Sequence, residues 1–230
     1  LKPIREGFKN KNNKFSAKGY CKDVKVKVYE VFDENQGILR EFVSKHEELS
    51  KFFPKLITYN TKYIVEEWLK GKTLKEEKPN FFKNKEYIKE VKKIIKLMWS
   101  INYDKNIFDY IEYIYKRLGK KVNIDISKIP IRINHNDLSL DNILVTPKGL
   151  KIIDNEFLGC NTGWVLNLKN SFIEEEILGE SFITKENILK LWKIRTEWSN
   201  HWQFFYFKLS KFQVIDKNTF IKVVNLNHNL

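Results

Sequence analysis

The stretch from Ile131 to Asp154, IRINHNDLSLDNILVTPKGLKIID, constrains this chain more than any other. A short apolar run, Ile131-Arg132-Ile133, leads straight into a polar loop from Asn134 to Asn142. Ile143-Leu144-Val145, a Pro147-Lys148-Gly149 turn and Leu150 to Ile153 then read as a hairpin. Asp154 stands at the end of its second strand. An isolated Asp-x-x-x-x-Asn ordinarily marks a capped turn. Here the same residues sit between three strand signals, which fixes the loop at both ends.

The elements around this segment divide in character. Val24, Val26 and Val28 alternate with Lys25, Lys27 and Tyr29, a period of two that predicts a strand. Lys14 to Gly19 reads as a strand before it, and Asp33 to Gly37 as a turn. Leu39, Phe42, Val43, His46 and Leu49 predict an amphipathic helix from Ile38 to Phe53, ended by Pro54. Leu56–Tyr59 and Tyr63–Trp68 read as two short strands. After Gly71 the pattern turns helical over 84–101, 107–118 and, most strongly, 186–207. The expected fold class is α+β: a small antiparallel β lobe with one helix at residues 1–69, and a larger, mainly helical lobe at 70–230.

Bulk properties narrow the function classes. Hydrophobic residues make up 42% of the 230 positions and aromatics 14%, enough for a sizeable core. The formal net charge is +13. The lysines are scattered along the sequence, so the excess reads as solvated surface charge, and nucleic acid is not expected as a partner. No apolar run is long enough to span a bilayer. Two distant cysteines, Cys21 and Cys160, have no metal-ligand spacing and fit a reducing cytoplasm, the expected location. The chain begins at Leu1 and its single methionine is Met98, as expected of a processed chain or a piece of a longer one.

The loop carries the chemistry. Phosphoryl transfer from a nucleoside triphosphate needs a carboxylate to align an acceptor hydroxyl, metal ions on the phosphates and a cation to fix the phosphate chain. Asp137 is placed to orient the hydroxyl, and Asn142 offers an amide oxygen to Mg2+ from the far side of the loop. His135 is expected to support the loop backbone. Asp154, at the end of an apolar strand, is poised to ligate the metal that bridges the phosphates.

INHNDLSLDNILVTPKGLKIIDNEF resembles the corresponding segment of the aminoglycoside phosphotransferase and choline/ethanolamine kinase superfamily, which has a protein-kinase-like fold. The resemblance extends over roughly residues 5 to 175. It implies ATP and Mg2+ as cofactors and a small-molecule hydroxyl as acceptor. It places Lys27 on the phosphates, Glu41 as the ion-pair partner of Lys27, and Glu67, Trp68 and Leu69 along the adenine. It also matches Glu174 to an acidic position near the choline site, which favours an amino alcohol over a sugar or aminoglycoside. Two positions depart from the pattern: the stretch Phe8–Phe15 has no glycine, and Asn167 stands where an aspartate usually braces the loop. These departures leave a non-catalytic nucleotide-binding or scaffolding domain as the alternative. Ile153-Asp154-Asn155-Glu156 in place of Asp-Phe-Gly argues against a protein kinase.

Overall fold

The computed structural model describes residues 5–9, 15–21, 23–78, 80, 83–166 and 182–208. Strands β1 (Arg5–Lys9), β2 (Phe15–Cys21), β3 (Val24–Glu30), β4 (Leu56–Tyr59) and β5 (Tyr63–Glu67) form one antiparallel sheet in the order β1-β2-β3-β5-β4. The period of two sorts its faces as expected. Ala17, Val26, Val28 and Val65 are buried together on one side. On the other, register aligns Lys18 with Lys27 and Lys27 with Glu66, so three charged residues lie in a row across adjacent strands.

Helix α1 (Gln36–Lys45) packs beside this sheet. It is shorter than the sequence pattern predicts. His46 turns the chain to extended backbone, and a 3-10 turn over Leu49–Phe52 replaces the last part of the expected helix. The His46 Nδ1 accepts from the Leu49 amide at 3.3 Å, which stabilises the break. Gly37 has a specific reason to be glycine: an added Cβ would lie 2.2 Å from the Tyr59 ring.

After the short strand β6 (Lys72–Thr73) and helix α2 (Leu74–Glu77) come α3 (Lys85–Ser100) and α4 (Tyr110–Arg117). Asn84 and Asp109 cap the latter two, each accepting a backbone amide. Val91, Ile94, Ile95 and Met98 bury one side of α3, while Lys85, Lys89, Lys92, Lys93 and Lys96 line a shallow hollow on it. The lysines thus look scattered in sequence, yet the helix gathers five of them. Strands β7 (Arg132–Asn134), β8 (Ile143–Thr146), β9 (Gly149–Ile152) and β10 (Gly159–Asn161) follow, then α5 (Lys185–Lys208). β8 and β9 form the expected hairpin, to which β6 adds an edge, and β7 pairs with β10.

The main core gathers residues from α1, α3, α4, the hairpin and α5 around the buried Trp164 and Trp198. On α5 the buried positions Ile188, Leu191, Arg195 and Trp198 follow one helical stripe, and a single charge interrupts it. No helix among the described residues is long and apolar enough to cross a membrane.

Candidate active site

The polar loop between β7 and β8 is built from asparagines. Asn134, at the end of β7, is fully buried, and its Oδ1 accepts from the Asn136 amide at 2.9 Å. Asn136 takes a left-handed backbone, φ 62°, and its Nδ2 donates to the Phe157 carbonyl at 2.7 Å. A short amide side chain tolerates that conformation better than most residues do. His135 is buried between them, and its Nε2 donates to the Ile153 carbonyl at 2.9 Å. Burial holds its pKa below the usual histidine value despite the nearby carboxylates, so the ring is neutral with its proton on Nε2. His135 therefore supports the backbone and ties the loop to the strand before Asp154.

Asn142 donates from Nδ2 to the Asp137 carbonyl at 2.8 Å. This fixes the amide orientation and presents Oδ1 as the acceptor atom. The Ile153 amide also donates to the Asn142 carbonyl at 2.9 Å, bringing the two ends of the segment together. Asp154 follows with a left-handed backbone, φ 64°.

Lys27 of β3 reaches Asp154 in a short ion pair. Lys25, on the same strand face, lies instead over the Trp68 ring at 5.6 Å. Burial works against the Lys27 charge. Asp154 first, then Glu156 and Glu66, outweigh it and hold the ammonium protonated above the ordinary lysine range. For Asp154, burial pushes the carboxyl up, but its neighbours, Lys27 foremost and Lys18 among the lesser ones, outweigh it and the net shift is downward. Glu156 is pushed up to about 7, by burial first and then by the neighbouring Asp154.

The expected Lys27–Glu41 pair is not formed. Glu41 turns outward, pairs with Lys45 at 2.8 Å and accepts from the Tyr59 hydroxyl at 2.7 Å. The reason is helix phase: Leu39 and Val43 define the buried stripe of α1, and Arg40, not Glu41, lies on it. The roles are thereby exchanged. The helix supplies a cation, Arg40, and strand β5 supplies the acid, Glu66. Arg40 Nε lies 3.3 Å from Glu66, with both side chains essentially buried. Glu66 also accepts from Asn155 Nδ2 at 3.1 and 3.2 Å, linking the sheet to the segment after Asp154. Gln36 makes a second link, donating to the Glu156 and Leu158 carbonyls at 3.0 and 2.8 Å.

Glu67, Trp68 and Leu69 are half-buried and run out of β5. The Trp68 amide donates to the Lys25 carbonyl at 2.7 Å, and Lys18 sits 3.7 Å from the Trp68 ring centroid. Glu174, Asn167 and residues 10–14 of the glycine-free stretch lie outside the described residues.

Asp137 brings an unforeseen partner. Its side chain is 37% exposed, and its Oδ1 accepts from Arg195 Nη2 of α5 at 2.9 Å. No spacing rule ties position 195 to position 137. The one available signal was a charge on the apolar stripe of α5. Glu66, Glu156 and Arg40 were missed for a similar reason, since their positions depend on register and helix phase.

Comparison with solved structures places this architecture. Aminoglycoside phosphotransferase APH(4)-Ia matches with a TM-score of 0.51 at 12% identity, over 88% of this chain and 85% of that one. A thermostable mutant of APH(4)-Ia in ternary complex with ADP and hygromycin B gives 0.50 at 12% identity and the same coverage. An ethanolamine kinase of Plasmodium vivax gives 0.49 at 16% identity, over 96% and 80%. No protein-family model matches the chain, and no curated protein matches it in sequence. By this likeness the chain has the fold of aminoglycoside phosphotransferase APH(4)-Ia.

Proposed function

We propose that this chain is an ATP-dependent phosphotransferase acting on a hydroxyl of a small molecule. One observation carries the reading: Lys27 from the sheet meets Asp154 from the hairpin beside a loop that holds Asp137 and Asn142. A phosphoryl-transfer site needs these four groups and little else. Residues 1–69 and 70–230 act as two lobes, with ATP seated between them and Glu67 to Leu69 along its adenine. Lys27 holds the phosphates. Asp137 accepts a hydrogen bond from the acceptor hydroxyl and aligns it. The acceptor oxygen bonds to the γ-phosphorus, the bond to the β–γ bridging oxygen breaks, ADP leaves, and the hydroxyl proton passes to Asp137.

Asp154 and Asn142 Oδ1 are oxygen donors of the kind Mg2+ takes alongside phosphate oxygens. When bound there, the ion neutralises charge on the phosphates. Lys27 and Asp154 hold each other in place until nucleotide arrives, which protects both positions from random rotamers.

Asp137→Ala is expected to cut turnover by at least about a thousandfold, because it removes both alignment and proton acceptance. ATP affinity, measured by isothermal titration, should stay within a few fold. Unchanged turnover in this variant would sink the assignment. The second reading, a nucleotide-binding scaffold without turnover, is favoured by the same ion pairs, Lys27–Asp154 and Arg195–Asp137, if they never open. Nucleotide binding without ATP consumption across amino alcohols, sugars, aminoglycosides and hydroxy acids would support it. Among acceptors, the preference for an amino alcohol rests on Glu174. The described residues instead put a cation, Arg195, beside Asp137.

A further inference from the structure

The Arg195 side chain is 9% exposed and lies on the buried stripe of α5. An arginine buried this far keeps its charge and requires a partner for it. Asp137 supplies one, through a single contact to Nη2 at 2.9 Å. Below the guanidinium lies the buried Tyr110 ring, with its centroid 5.8 Å from Cζ. The buried Nε has no hydrogen-bond partner among the described residues. Of the five N–H donors of a guanidinium, the described residues therefore engage one. A residue that only braced Asp137 would be served by a smaller donor with no charge to bury.

The position of this cation bears directly on the acceptor. A hydroxyl bonded to Asp137 Oδ1 lies within roughly 6 Å of Arg195 Nη2, since each hydrogen bond spans about 2.7–3.0 Å. A group one or two carbons from that hydroxyl then falls within direct reach of the guanidinium. A quaternary or primary ammonium there meets a fixed positive charge in a partly desolvated site. A carboxylate or phosphate meets a planar fork matched to its oxygens.

Resting on the phosphotransfer reading above, we infer that Arg195 selects the acceptor: the hydroxyl aligned by Asp137 belongs to a small molecule bearing a carboxylate or phosphate one or two carbons away. The transfer is the one already written, with the acceptor oxygen joining the γ-phosphorus, ADP leaving and the hydroxyl proton passing to Asp137. Arg195 binds the acceptor's anion and takes no part in the bond changes. Glycerate and glycerol 3-phosphate represent the two sources of anion, glycerol is the neutral isostere, and choline and ethanolamine are the cationic competitors.

The experiment uses the full chain with ATP and Mg2+ and reads ADP release against these five acceptors. Glycerate or glycerol 3-phosphate should give kcat/KM about ten- to a hundredfold above glycerol, the range of one charge-assisted hydrogen bond, with choline and ethanolamine below glycerol. Whichever anion leads identifies the source. In Arg195→Gln the ratio of the leading anion to glycerol should fall toward one through KM, while Arg195→Lys keeps most of it. The ratio is taken within each variant and so does not depend on the fraction folded. Preferential turnover of choline or ethanolamine overturns the inference and leaves the phosphotransferase reading standing. So does an anion-to-glycerol ratio that survives Arg195→Gln. ATP binding with no turnover of either anion also overturns it, and no turnover of any of the five acceptors favours the scaffold. Failure of the chain to bind ATP at all removes the underlying reading, and the inference with it.

Discussion

His135 illustrates what a single buried residue contributes. Its ring is neutral because burial outweighs the surrounding carboxylates, and its Nε2 proton is committed to the Ile153 carbonyl. The unfolded chain protonates this ring below about pH 6.5, while the folded chain resists protonation until lower pH. Its contribution to stability is therefore full above pH 6.5 and is lost as pH falls toward the folded-state value. Glu156, pushed up to about 7, acts with the opposite sign: the folded form takes up a proton that the unfolded form does not, so stability falls as pH rises through 7. The difference between parent and variant isolates the histidine. His135→Gln, which keeps an amide donor but cannot titrate, should lose less stability than the parent between pH 7.5 and 5.5. Each unit by which the histidine pKa is depressed corresponds to about 1.4 kcal/mol. Urea unfolding at the two pH values measures this, and equal losses in both proteins would contradict the neutral-ring assignment.

At the scale of elements, α1 carries the largest departure from expectation. The positions Leu39, Phe42 and Val43 correctly marked an amphipathic helix, yet the charged residue on its buried stripe is Arg40, and Glu41 faces outward. Two adjacent residues on a helix differ by about 100° in direction, so an error of one position reverses which charge faces the sheet. The buried Arg40–Glu66 pair then joins α1 to β5, and Asn155 joins β5 to the segment after Asp154. The helix is held at close range because Gly37 admits the Tyr59 ring. Gly37→Ala should destabilise the chain by about 1–3 kcal/mol, the usual cost of overpacking. Adding Tyr59→Ala should return part of that loss. A Gly37→Ala protein with an unchanged urea midpoint would show that the ring yields freely.

Across the whole molecule, the site depends on contacts between segments far apart in sequence. Lys27 meets Asp154, Gln36 meets Glu156 and Leu158, and Arg195 meets Asp137. A ligand that bridges such contacts should raise global stability by mass action. ATP with Mg2+ at a hundred times its dissociation constant contributes about 2.7 kcal/mol. For a chain of this size that is about 5–10 °C in Tm. Lys27→Ala should lose most of the shift at the same nucleotide concentration, as should Asp154→Asn. A full shift in both variants, read by differential scanning fluorimetry, would place the nucleotide elsewhere.

The sequence alone marked β2 to β5, β7, the hairpin, the main helices and the loop bearing His135, Asp137 and Asn142, because those features are local, whereas β1, β6 and β10 emerge only in the folded chain. Periods of two and 3.6, turn residues and a motif of fixed spacing are all written within a few residues of one another. It also placed Lys25 and Lys27 on one strand face, since the alternation there has a period of two. Tertiary structure alone decided the partnerships: Lys27 with Asp154, Arg40 with Glu66, and Arg195 with Asp137. Ion pairing has no preferred sequence separation. It follows strand register, helix phase and the packing of α5 against the loop, which only the folded chain fixes.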